Sequence, residues 1–261
     1  MDSRCDRCFG IGVVHSPGNG FCNEAAFGGC MSTVQTVAAI DLTRIYGRGY
    51  ALKKANFQLR SGTITALVGA NGAGKSTAFN LLAGRIKASA GKIQLDGVET
   101  CFDPEDRKKI GFLSHASYLY GGLTASENLN LYAGLHGIED AQVASVLEQV
   151  GLTKQANRQA HQFSRGMIQR LALGRLLLTD PAVWLLDEPA SGLDEAGRNW
   201  LSQTIRRLAG EGRIIAFSTH HRQLAAELAT HTVVLKKGRV VQSGEVEGPE
   251  MVQALFEEHV A

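Results

Sequence analysis

The sequence lacks any run that approaches the roughly 18 consecutive apolar residues a membrane-spanning helix needs. Its longest apolar stretch, around Leu171 to Leu178, is interrupted by Gly174 and Arg175, so no spanning helix is predicted. It also lacks a basic run. Lysine and arginine are dispersed and the formal net charge is +2, so no nucleic-acid partner is predicted from charge. The N-terminus has no apolar core between a basic start and a small-residue cleavage site, so no secretory leader is expected. There is no internal repeat and no low-complexity tract.

Cysteine is scarce where the chain is otherwise informative. Of the 5 cysteines, Cys5, Cys8, Cys22 and Cys30 fall in the first 30 residues and only Cys101 lies beyond. A core with one cysteine suits a reducing compartment. Cys5 and Cys8 have the spacing of half a zinc site, but Cys22 and Cys30 are too far apart to complete a usual knuckle. Residues 1–30 are therefore expected to be a disordered extension or to lie outside the native product, with Met31 as the start; a small metal-binding extension is the alternative. The remainder, 31–261, is expected to form one nucleotide-binding domain. Hydrophobic residues make up 44% and charged residues 20% of the chain, ordinary for a folded globular protein.

Strand and helix signals alternate along the chain. Val34 to Leu42, Ala55 to Leu59, Thr63 to Val68 and Lys92 to Leu95 read as strands. Strand patterns return at Ala182 to Leu186, Arg213 to Ser218, Thr232 to Leu235 and Arg239 to Gln242. Helices are predicted over Ala78 to Ala83, Glu195 to Ala209, Arg222 to Ala229 and Glu250 to His259, the last preceded by Pro249. This alternation predicts an α/β fold with a mostly parallel sheet covered on both faces. Between Thr124 and about Leu178 the period is helical, opened by the capping-box pattern Thr124-Ala125-Ser126-Glu127. We therefore expect an inserted helical lobe at about 112–178.

Gly69-Ala70-Asn71-Gly72-Ala73-Gly74-Lys75-Ser76 fits G-x-x-x-x-G-K-[ST] at every specified position, and Thr77 continues it into a helix. A triphosphate is a dense negative cluster. Glycines let the backbone turn its N–H groups toward that cluster, and the helix N-terminus adds partial positive charge. Lys75 is placed to reach the β- and γ-phosphates, and the Ser76 hydroxyl to ligate Mg²⁺. A chance glycine-rich turn is the plain alternative, but strand, loop and helix stand in the required order. Downstream, Ala182 to Leu186 is an apolar strand that ends in Asp187-Glu188. Carboxylates at that strand's C-terminal edge lie where ligands of such sheets bind. Asp187 is suited to hold Mg²⁺ through water and Glu188 to act as general base; a structural capping pair is the alternative.

The order of the glycine-rich loop, Phe163-Ser164-Arg165-Gly166-Met167, Leu185-Leu186-Asp187-Glu188-Pro189, Ser191-Gly192-Leu193-Asp194 and Ser218-Thr219-His220 resembles the ATP-binding cassette family across nearly all of 34–245. The resemblance implies a P-loop NTPase (RecA-like) sheet, with an antiparallel N-terminal β portion and the helical lobe inserted. It implies ATP hydrolysis with Mg²⁺. Tyr46 would stack on adenine, a simple strand-end aromatic being the alternative. His220 would sense the γ-phosphate and help orient the attacking water, a solvated strand-end histidine being the alternative. Ser164, Arg165, Gly166 and Met167 form the signature that meets the ATP of a second copy, and Asp194 couples the two sites. Two departures stand out. The signature has Arg165 and Met167 where the family usually has Gly and Gln. His115 stands where the family places a Gln, and histidine titrates near neutrality, so pH-sensitive activation is one expectation and a passive loop histidine the other.

The implied partners are integral membrane permease subunits and a second copy of the chain, with no nucleic acid. The implied location is peripheral, on the cytoplasmic face of the cell membrane. Leu113-Ser114-His115, Leu119 to Leu129 and Phe163 to Met167 resemble the haem-exporter branch that serves cytochrome c maturation. Motors for lipid or drug cargo, and non-transport ATPases of the same family, are the alternatives.

Overall fold

The computed structural model describes residues 34–114 and 116–260. Expectations for residues 1–30 and for His115 lie outside the described residues. Two sheets dominate. A four-stranded antiparallel sheet contains β1 (Thr36–Tyr46), β2 (Gly49–Arg60), β4 (Ala90–Leu95) and β5 (Val98–Glu99), in the order β2-β1-β4-β5. The second sheet contains β3 (Ile64–Val68), β6 (Ile110–Leu113), β7 (Val183–Asp187), β8 (Ile214–Ser218), β9 (His231–Lys236) and β10 (Arg239–Glu245). Its order is β10-β9-β3-β8-β7-β6, and only β10 runs antiparallel to its neighbour. The sheets and the inserted helices make the α/β P-loop NTPase architecture expected from the sequence.

The three central strands β3, β7 and β8 are buried at every residue. Their side chains alternate between two cores, as a pleated strand requires. Leu67, Val183, Leu185, Ile214 and Ala216 face a core shared with the antiparallel sheet and α1 (Lys75–Leu82). Ile64, Val68, Trp184, Leu186, Ile215 and Phe217 face the other core. That second core is closed by α5 (Arg165–Thr179), α6 (Glu195–Gly210), α7 (Arg222–Leu228) and α8 (Pro249–His259). Burial on both faces explains why these strands read as continuous apolar runs.

A third core holds the helical lobe: α3 (Ala125–His136), α4 (Ala141–Gln149) and the near face of α5. The capping box at its start forms as expected. Thr124 Oγ1 accepts from Glu127 N–H at 3.1 Å, and the Glu127 carboxylate accepts from Thr124 N–H at 2.8 Å. The expected lobe boundary moves, however. Phe112 and Leu113 belong to β6, paired in parallel with Leu185 and Leu186 of β7. A four-residue strand beginning at a half-buried Ile110 was too short to stand out from its surroundings. The short α2 (Pro104–Lys108), capped by Asp103, buries no residue and so carries no apolar period in the sequence. Conversely, α1 begins at Lys75 rather than Ala78, because its first turn is polar and faces the loop instead of the core.

Trp184 anchors the second core. It is 1% exposed, and its Nε1–H donates to the Pro181 carbonyl at 2.9 Å. Trp184→Ala is expected to lower unfolding free energy by about 3–5 kcal/mol, measured by chemical denaturation.

Candidate functional site

The loop between β3 and α1 takes its shape from glycines in the left-handed region. Gly69, Gly72 and Gly74 have φ of 155°, 78° and 109°. A Cβ at Gly69 would lie 2.3 Å from the Leu235 carbonyl oxygen, and one at Gly74 2.6 Å from that of Ala51. Side chains are excluded on both counts, so the loop backbone lies against two strands. Lys75 Nζ donates to the Gly69 and Ala70 carbonyls at 2.6 and 3.1 Å. Burial holds its ammonium below the usual range, against the attraction of Glu188 and Asp187. Ala73 is buried, and its carbonyl accepts from Gly238 N–H at 3.0 Å.

The carboxylates emerge from the end of β7. Asp187 is 4% exposed, and its Oδ1 accepts from Ser218 Oγ at 2.5 Å. Glu188 has φ of 55°, a conformation rare for a side-chain-bearing residue. Its N–H donates to the Ser218 carbonyl and Oγ, both at 3.2 Å. That turn brings Glu188 Oε2 to 2.9 Å from His220 Nδ1. The His220 ring in turn lies 4.3 Å, centroid to centroid, from the ring of His221.

A cleft of about 360 Å³ is lined by Tyr46, Asn71, Gly72, Gly74, Lys75, Ser76, Thr77, Asp187 and Glu188, with His220 reaching it through Glu188. Ala51 of β2 joins them and was not anticipated from sequence. Tyr46 ends β1 half-exposed, with the Arg44 guanidinium 4.6 Å from its ring centroid. The Ser76 hydroxyl and the Asp187 carboxylate are oxygen donors of the kind Mg²⁺ prefers. Such an ion usually takes one or two protein ligands and completes its shell with water and phosphate. A buried carboxylate beside a hydroxyl in a cationic loop fits that description. A larger cavity of about 710 Å³ is bordered by Arg85, Lys87, Arg107 and Arg175. It shares no residue with the cleft, so size alone does not mark the chemistry.

The segment Ser164–Met167 does not line the cleft. Ser164 caps α5, its Oγ accepting from Met167 N–H at 3.3 Å. A Cβ at Gly166 would fall 2.7 Å from the Gly192 carbonyl oxygen, and one at Gly192 3.1 Å from Arg165 Cβ. The segment thus packs on the loop that follows β7. Asp194 caps α6 by accepting from Gly197 N–H at 2.9 Å. That bond, with Arg170 next, holds its carboxyl below the usual range. Gln169 donates to the Pro189 carbonyl at 2.8 Å, a tie between α5 and the post-β7 loop that sequence patterning missed.

The ABC transporter family profile matches residues 52–191. The chain belongs to the ABC transporter family. It is 32% identical over 220 residues to the lantibiotic transport ATP-binding protein SrtF of Streptococcus pyogenes, covering 84% of this chain and 95% of that protein. It is 35% identical over 216 residues to the bacitracin transport ATP-binding protein BcrA of Bacillus licheniformis, covering 81% and 70%. Among solved structures, the ATP-binding cassette MJ0796, a dimer in a post-hydrolysis state with ADP and Pi, superposes with a TM-score of 0.74 at 27% identity, covering 81% of this chain and 99% of that one. The chain is thus a cassette ATPase, the ATP-binding subunit of an ABC transporter. No helix among the described residues is long and apolar enough to cross a membrane.

In this cassette, Gly74→Ala forces a side chain into both a left-handed φ and the Ala51 carbonyl. Strain of that kind costs roughly 1–3 kcal/mol. If it falls on the binding-competent loop, ATP affinity drops about tenfold or more. Fluorescent-nucleotide titration, with circular dichroism to confirm folding, checks this.

Proposed function

We propose that this chain is the ATP-hydrolysing motor of an exporter, working as a head-to-tail pair beneath membrane permease subunits on the cytoplasmic face. The observation that carries the reading is the cleft itself. Lys75, Ser76, Asp187 and Glu188 line it together, with Glu188 tied to His220 at 2.9 Å.

The roles follow from position. Amides of Gly69 to Thr77 cradle the phosphates and Lys75 neutralises them, while Tyr46 stacks on adenine. Ser76 would hold Mg²⁺, with Asp187 acting on it through water; when bound, the ion would neutralise phosphate charge. Glu188 takes a proton from the attacking water, and His220 orients that water against the γ-phosphate. Ser164 and Gly166, flanked by Arg165 and Met167, meet the ATP of the second copy, and Asp194 links the two sites. His115 takes the place of the Gln that contacts Mg²⁺ and the permease. ATP binding then joins two copies, and loss of the γ-phosphate releases them. Two observations support pairing: Ser164–Met167 lie outside their own chain's cleft, and MJ0796 is dimeric.

For the cargo, we read haem export in cytochrome c maturation, on the strength of the runs Leu113 to His115, Leu119 to Leu129 and Phe163 to Met167. A second reading, export of a peptide, is favoured by the names of SrtF and BcrA.

Glu188→Gln is expected to slow hydrolysis by roughly 10²–10⁴-fold while leaving ATP binding intact. Phosphate release and nucleotide titration read the two separately, and a wild-type rate removes Glu188 from the role. The same variant, trapped with ATP and pulled from detergent-solubilised membranes, should bring a multi-span permease. Whether that permease moves haem or a peptide decides the cargo, and recovery of ribosomes or DNA-repair factors alone would overturn transport.

A further inference from the structure

His220 has little packing to hold it. Its side chain is 64% exposed, whereas that of its partner Glu188 is 13% exposed. An exposed side chain keeps one rotamer only if specific contacts outweigh its freedom. Among the described residues, two contacts orient this ring. One is the Glu188 carboxylate at Nδ1. The other is the His221 ring, tilted 34° to it with centroids 4.3 Å apart.

His221 is itself anchored through its backbone. Its N–H donates at 3.0 Å to Oγ1 of Thr219, a residue 4% exposed. Its carbonyl accepts from Ala225 N–H at 3.2 Å, the first turn of α7. The ring is therefore presented from a fixed point. His221 occupies the N-cap of α7, yet its side chain makes no capping hydrogen bond. Asp, Asn, Ser or Thr would serve the helix better there. Helix formation does not account for an imidazole at this position, and contact with His220 does. Burial holds the His221 imidazole below its usual range, with His220 and Arg198 adding to the effect and Glu188 opposing it.

We propose that His221 is a positioning residue that keeps the His220 ring on the Glu188 carboxylate, and so sets the hydrolysis rate without touching the nucleotide. This rests on the hydrolytic role given to His220 above.

The test measures steady-state ATP hydrolysis by the full chain, wild type and carrying His221→Asn, His221→Phe, His220→Ala, or His220→Ala with His221→Asn. Asparagine improves the cap and removes the ring; phenylalanine keeps a flat ring. The expected result is that His221→Asn lowers kcat on the order of tenfold at unchanged KM, with no loss of melting temperature. His221→Phe retains most of the rate, and His221→Asn adds nothing in the His220→Ala background. A readout independent of turnover is the His220 ¹³Cε1 NMR signal. It should move toward that of free imidazole in His221→Asn and stay in place in His221→Phe. The proposal is overturned if His221→Asn hydrolyses at the wild-type rate while His220→Ala does not, or if the loss persists undiminished without His220. A wild-type rate in His220→Ala would instead remove the role of His220 itself, and the positioning role with it.

Discussion

The arrangement depends on the parallel register of β3, β8 and β7. Leu67 pairs with Ser218, and Ser218 pairs with Asp187. All three strands therefore run out at one edge, and three separate stretches of sequence meet there: the glycine-rich loop, the carboxylate pair and the segment that ends in His220. Ser218 is the junction, donating to Asp187 through its hydroxyl and accepting from the Glu188 amide. Because side chains alternate along a strand, a slip of one residue would bury Glu188's neighbours on the wrong face and move both carboxylates away from Lys75. Full burial on both faces fixes that register.

A second constraint clamps the loop from the side. Gly74 lies against the Ala51 carbonyl and Gly69 against that of Leu235. Gly238 donates to Ala73 and accepts from Lys53 at 2.7 Å. The loop is held between β2 of the antiparallel sheet and the turn that joins β9 to β10. The same sheet presents Tyr46 at the end of β1, so one sheet both clamps the loop and supplies Tyr46 to the cleft.

Much of this was legible in the sequence because the chemistry is local. A phosphate cradle needs glycines and a lysine at fixed offsets, and a buried strand ending in Asp187-Glu188 announces itself by hydrophobicity. Thr124 and Glu127 signal their cap in the same way. What was not legible depends on approach in space. β6 is a short strand whose identity comes from pairing with β7. Ala51 joins the cleft only because β2 folds over the loop. Gln169 reaches Pro189 only because α5 packs against β6, the neighbour of β7 in the sheet. The requirement for glycine at Gly166 becomes physical once the Gly192 carbonyl is seen 2.7 Å from where a Cβ would sit.

The central claim is that one chain supplies only part of its hydrolytic site and that Ser164–Met167 of a second copy complete it. Specific ATPase activity measured against protein concentration tests this most directly. The account predicts a rate per chain that rises with concentration and then levels off as pairs form. A rate per chain that stays constant down to dilutions at which light scattering finds only single chains would contradict it.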